Sequence, residues 1–231
     1  MAKRPIFLPK FDNNNLVFER YVDFHWSPGM AVSQKRKSIA DLHRMAAEKL
    51  GVDRPLEVSS KSENEIGVAL SSFNLKFTTA KGLSLSVECA FQGSKVFELG
   101  GPFRDLFLAR PMDAKRDARL RDSGRLVGFS FFHQDWPLTP LTAFYDWLYI
   151  QTLIKNPELA DLSTSFDGFT DIEFNPEKSI NCQARSVALY QALLKTNQLD
   201  EALSSPENFR SIYAGKRIDV AQFHKMQEKL I

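Results

Sequence analysis

Long apolar runs are missing from this sequence: no stretch approaches the roughly 20 residues that a bilayer-spanning helix requires. Membrane spanning is therefore not expected. The first eight residues open with Lys3 and Arg4, but their apolar run stops at Pro9 and Lys10, too short for the core of a secretory signal. Cysteine is scarce. Cys89 and Cys182 are the only two, too few and too far apart for a disulfide framework, and no metal-ligand spacing surrounds them. Free thiols in a cytoplasmic protein, without a metal, are the expectation. Charge of one sign is also lacking, since the formal net charge is +2, which gives no strong global field for nucleic acid. Internal repeats, low-complexity tracts and flexible linkers are absent too.

The 231 residues, 43% of them hydrophobic and 19 of them phenylalanine, suffice for a sizeable core. Charge is uneven along the chain. From Arg104 to Arg125, seven basic residues stand against four acidic ones, a local +3. Lys35-Arg36-Lys37 forms a second cluster. Such runs are solvated helix faces or phosphate-binding surfaces.

Leu16 to Phe24 reads as a strand, rich in β-branched and aromatic side chains. Ile39, Leu42, Ala46 and Leu50 have helical spacing, and Gly51 suits a helix C-terminus, so a helix is predicted from about 33 to 50. Gly67-Val68-Ala69-Leu70 and Phe73 to Phe77 read as strand segments that break at Lys81-Gly82. The basic segment reads as one or two helices, and Leu126 to Phe131 as a short strand. Pro140 to Asn156 reads as a strongly apolar helix, Phe169 to Phe174 as an alternating strand ending at Asn175-Pro176, and about 181 to 195 as another helix. Two or three helices finish the chain. Strands scattered among more abundant helix predict an α+β fold. The expected organisation is an N-terminal β/α extension over residues 1–65 and a main domain over 66–231.

Ser86 to Phe97 is the segment richest in chemistry. As a helix it sets Glu88, Gln92 and Lys95 along one side and a largely apolar stripe, Val87, Ala90, Phe91, Ser94 and Phe97, along another. Helical rise would separate Glu88 and Lys95 by roughly 10 Å along the axis. They would then flank one substrate, or else be surface charges of an amphipathic helix. Gly93 in mid-helix costs about 1 kcal/mol against alanine, which points to a close approach by another group or helix. No histidine is assigned a catalytic role: His25 and His133 fall in expected loops, His43 and His224 on expected helices.

Several segments occur in a telling order: Gly67 to Phe73, Ser86 to Phe97, Asp113-Ala114-Lys115, Asp135-Trp136, Phe169 to Glu173, and Lys178 to Arg185. This order resembles the YbiA-like, or NADAR, superfamily, over roughly residues 66 to 195. Cys89 stands where the superfamily usually has histidine, Leu70 where it often has phenylalanine, and Asn175-Pro176-Glu177 replaces its Trp-Gly turn. A changed substrate and a lost activity both accord with those departures.

The resemblance implies hydrolysis of N-glycosidic bonds to ribose, including removal of ADP-ribose from nucleobases, with no cofactor. It places Glu88 and Lys95 as catalytic residues and Ser72, Phe73, Gln92, Trp136, Glu173, Asn181 and Arg185 as substrate-binding ones. Glu88 would protonate the leaving base or stabilise the sugar cation. Lys95 would attack the anomeric carbon, given a depressed pKa. Glu173 would bind ribose hydroxyls. Phe73 and Trp136 would stack on a base, Trp136 from a cleft. The helix start at Ser179 to Asn181 would be a cap or, with Lys178 and Arg185, a phosphate site. The implied partners are a substrate containing ADP-ribose or a nucleotide, nucleic acid, and an ADP-ribosyltransferase toxin. The alternative is a module that binds nucleotide or nucleic acid, or masks such a toxin, without turnover.

Overall fold

The computed structural model describes residues 1–11 and 16–213 of the chain. The C-terminal segment that includes His224 lies outside these. In chain order the elements are β1 (Ala2–Pro9), β2 (Val17–Phe24), α1 (Val32–Leu50), β3 (Pro55–Glu57), α2 (Glu65–Ala69) and β4 (Lys76–Thr78). Then come β5 (Ser84–Ser86), α3 (Val87–Gly93), β6 (Lys95–Phe97), a 3-10 helix (Arg104–Leu108), α4 (Pro111–Arg116) and α5 (Arg119–Asp122). After these follow β7 (Leu126–Phe131), β8 (Gln134–Pro137), α6 (Ala143–Ile154) and α7 (Pro157–Ser163). The last are β9 (Gly168–Thr170), α8 (Gln183–Lys195), α9 (Leu199–Leu203) and α10 (Pro206–Ser211). The fold is α+β. No helix among the described residues is long and apolar enough to cross a membrane.

The chain divides into two compact units. Among the described residues, one comprises 1–11, 16–71, 156–177 and 182–199; the other comprises 72–155, 178–181 and 200–213.

The first unit is built on a four-stranded sheet in the order β2-β1-β9-β3. β1 and β2 pair antiparallel along their whole length, from Ala2 opposite Phe24 to Pro9 opposite Val17, whereas β3 runs parallel to β9. The stripe expected on α1 is the one buried: Ile39, Leu42 and Ala46 join Ile6, Val22, Phe24, Val52 and Ile172 in one apolar core. Gly51 ends the helix at φ 68°, and its N–H donates to the Ala47 carbonyl at 3.0 Å. The predicted strand at Gly67 to Leu70 is instead α2. The Asn64 side chain accepts from the Ile66 N–H at 2.9 Å and starts a helix that a short apolar run could not distinguish from a strand.

The second unit contains the hairpin β4-β5 and the three-stranded sheet β6-β7-β8. Phe73 lies in a turn before β4 rather than in a strand. β7 and β8 are joined through Phe132 and His133, both at positive φ (42° and 69°), a hairpin turn usually made by Asn and Gly. Helix α6 is buried almost all round, as its apolar sequence requires. Its Phe144 stacks on Phe129 at 4.6 Å and lies 6.2 Å from Phe91.

The sequence places Lys95 on the helix of Glu88; the structure ends that helix at Gly93 and opens β6 with Lys95. Gly93 owes its identity to packing. A Cβ there would stand 2.5 Å from the Phe107 ring and 3.0 Å from the Phe103 carbonyl. Gly93→Ala is therefore expected to destabilise the protein by about 1–3 kcal/mol despite alanine's higher helix propensity. Chemical denaturation measures this directly, and an unchanged or raised stability would contradict the packing.

Candidate functional site

Helix α3 begins where the Ser86 hydroxyl accepts from the Cys89 N–H at 3.2 Å. That start fixes the direction of Glu88, which is only 5% exposed. Its backbone N–H donates to the Ser72 carbonyl at 2.9 Å. Its carboxyl oxygens accept from the Ser72 hydroxyl at 3.2 Å and from the Gln92 amide at 2.9 Å. Ser72, Glu88 and Gln92 thus form one buried polar group. Glu88 and Gln92 meet because residues four apart in a helix share a face.

Lys95 lies beside this group and is also buried, at 6% exposure. In the antiparallel ladder Lys95 is opposite Phe129, and Phe129 is opposite Trp136. Residues directly opposite share a sheet face, so the lysine and the tryptophan stand on the same side. The Lys95 amine sits 5.1 Å from the centre of the Phe91 ring, and Phe91 packs 5.5 Å from Phe129. Burial lowers the Lys95 pKa to about 8; Glu88 draws it back up, and the Lys115 cation lowers it further. A buried amine that loses its proton near neutrality is a nucleophile in waiting.

Trp136 is not in a cleft. It is 2% exposed, with Phe144 at 5.7 Å and Trp147 at 5.0 Å, and its indole N–H has no partner in the structure. The polar Gln134-Asp135 before it and Pro137 after it suggest a cleft, but those neighbours belong to the strand β8, which turns Trp136 into the aromatic core. Phe73 is half-buried beneath the Lys115 ammonium, 5.4 Å from its ring centre. Asn181 belongs to the same unit and carries a buried side-chain oxygen without a partner. It does not cap α8, whose N-terminal flanking residue is Cys182. The backbone N–H groups of Ala184 and Arg185 instead face the Cys182 thiol. Glu173 and Arg185 belong to the first unit. Glu173 lies beyond the end of β9, exposed, 3.5 Å from Lys35. Cys89 is no thiolate: burial pushes its thiol up, and its sulfur contacts the Ala109 carbonyl at 3.1 Å.

Three of the seven basic residues of the 104–125 segment are ion-paired with neighbours. Arg119 pairs with Asp105 and Asp117, Arg110 with Asp113, and Arg125 with Glu98. Those three paired residues lie on a solvated face.

A second buried polar cluster, in the first unit, has no counterpart in the sequence reading. Glu57, 2% exposed, accepts from the Ser59 and Thr170 hydroxyls, each at 2.6 Å, and from the Ile172 N–H at 2.8 Å. Burial pushes its carboxyl up, and burial together with Glu57 pushes up that of Asp171. His43 contacts Thr170 at 2.9 Å, and burial lowers its pKa to about 4, so its ring is neutral. Glu57 meets partners more than a hundred positions away, and no local pattern announces that. These bonds tie β3 to β9 and the turn that follows it.

The Lys95 pKa has a measurable consequence. Its folded value, about 8, lies below the ordinary 10.5. The unfolded chain therefore binds the extra proton between those two values, and stability rises with pH across that window. The cost of keeping Lys95 charged, about 3 kcal/mol, is present in full below pH 8 and relieved by pH 10.5. Between pH 7 and 10, wild-type stability is expected to gain up to about that amount relative to Lys95→Met. A flat difference would contradict a buried, pKa-depressed amine.

Residues 2–223 match the family described as DarT1-associated NADAR antitoxin. No curated protein matches the chain.

Proposed function

Because the chain belongs to the DarT1-associated NADAR antitoxin family, we propose that it is an antitoxin acting as an N-glycosidase that releases ADP-ribose from modified nucleobases. The single observation that carries this reading is the buried Lys95 amine beside Glu88, whose pKa burial lowers to about 8, so that a larger share is free base near neutral pH than in an ordinary lysine.

In this reading the Lys95 lone pair attacks the anomeric carbon of the ribose joined to the base. The C1–N bonding pair leaves with the base, which takes up a proton. One proton of the new ammonium passes to the ring oxygen as the C1–O bond breaks and the sugar opens to a protonated Schiff base. Water then adds to the imine carbon, and hydrolysis returns the free amine and ADP-ribose. Glu88 already accepts two hydrogen bonds, so its part is to stabilise positive charge on the sugar rather than to deliver a proton. Ser72 and Gln92 hold that carboxyl in place. Phe73 and Asn181, which belong to the same unit, are proposed as further contacts to substrate, with ADP-ribosylated DNA or RNA bases as the substrate class.

The family description favours one further reading, in which the protein neutralises its partner toxin, a DNA ADP-ribosyltransferase, by masking it without turnover. Catalytic variants separate the two. The wild type is expected to release ADP-ribose from DNA carrying ADP-ribosylated guanine or thymine, with a rate that climbs as pH rises towards about 8. Lys95→Ala is expected to abolish release, and Glu88→Gln to slow it by ~10²–10⁴-fold. Both variants should also lose protection against the toxin in cells. Turnover that survives both substitutions overturns the mechanism, and protection that survives without turnover favours masking.

A further inference from the structure

Gln92 holds an acceptor that the fold leaves unused. The side chain is 7% exposed, and its amide nitrogen donates to Glu88 Oε1 at 2.9 Å. A carboxylate oxygen that accepts requires the amide to present its NH2 group, so the orientation of Gln92 is not arbitrary. The Gln92 Oε1 atom is thereby turned away from Glu88, and it is buried without a hydrogen-bond partner. Other buried polar groups of this unit are satisfied locally: Ser94 Oγ bonds the Ala90 carbonyl at 2.6 Å, and Thr152 Oγ1 bonds the Leu148 carbonyl at 2.8 Å. Trp136 and Asn181 also carry unpartnered buried atoms, but only Gln92 is bonded to Glu88. A buried acceptor left unmade is costly, and one aligned by an adjacent carboxyl calls for a bound donor.

The chemistry of that donor is restricted. Gln92 Oε1 is a neutral acceptor one amide width from a carboxyl group, so a phosphate or another anion is repelled there, and a neutral O–H or N–H fits. The ribose hydroxyls nearest the anomeric carbon lie within that span of a carboxyl placed to stabilise the sugar cation. We propose that Gln92 Oε1 accepts a hydrogen bond from a hydroxyl of the ribose held between Glu88 and Lys95, and so selects ribosyl over deoxyribosyl ligands. This rests on the ribose-binding reading of that site.

The test is calorimetric titration of the full-length protein with ADP-ribose and with analogues lacking the 2′- or the 3′-hydroxyl of the terminal ribose. Wild type is expected to bind one of the two analogues about tenfold to a hundredfold more weakly than ADP-ribose. Gln92→Met is expected to bind ADP-ribose more weakly by a similar factor and to lose the discrimination, to within about threefold, because the two deletions remove one bond. Equal binding of all three ligands by wild type overturns the inference, and so does discrimination that persists in Gln92→Met. Absence of ADP-ribose binding to wild type overturns the reading of the site and this inference with it, whereas binding without coupling overturns the inference alone. The analogue series on wild type stands even if the variant does not fold.

Discussion

An ammonium group set against aromatic rings loses hydration that one neighbouring carboxyl returns only in part, and Lys95 is in that position. Phe91 lies beneath its amine, Phe129 and Trp136 share its sheet face, and Glu88 supplies the opposing charge. Burial wins over attraction, and the pKa falls to about 8. The fold around Lys95 sustains this cost. α3 is pressed against Phe107 and Phe103 at Gly93, with no room for a methyl group. α6 closes the aromatic cluster from the other side, through Phe144 and Tyr145. A protein selected for stability alone would fill the Lys95 position with an apolar side chain. An amine there gives up stability, as the proposed chemistry would require.

Glu88 completes the arrangement through geometry rather than proximity alone. The Ser86 cap sets the first turn of α3, the Ser72 carbonyl and hydroxyl hold Glu88 from outside the helix, and Gln92 holds it from the next turn. A carboxyl fixed at both oxygens needs no reorganisation when charge develops beside it, the condition under which electrostatic stabilisation is most effective. The same network leaves one acceptor of Gln92 unspent. Catalytic and specificity roles would thus fall to neighbouring residues of one short helix.

Much of this was legible in the sequence. The stripe Ile39, Leu42, Ala46 fixed the buried face of α1, and apolar periodicity located β2, β7, α6 and α8 to within a few residues. The order of weak motifs, not any one of them, pointed to Glu88, Gln92 and Lys95. The misreadings have physical causes. Gly67 to Leu70 is too short for periodicity to separate helix from strand; the Asn64 cap was the signal to read. The helix carrying Glu88 stops two residues before Lys95, so shared helical spacing was the wrong reason for grouping the two. Polar Gln134 and Asp135 suggest a cleft for Trp136, yet all three lie along β8, whose inner face carries Trp136 into the core. Glu57 depends on contacts to Thr170 and Ile172 across more than a hundred residues, which no local pattern encodes.

The most direct measurement is chemical trapping of the covalent intermediate. Incubating the protein with an ADP-ribosylated base and cyanoborohydride reduces any imine to a stable amine, and peptide mass spectrometry locates it. The account predicts an ADP-ribosyl adduct on Lys95, formed faster as pH rises towards 8 and absent from Lys95→Arg. An active protein with no adduct on Lys95, or with the adduct on another lysine, would contradict it.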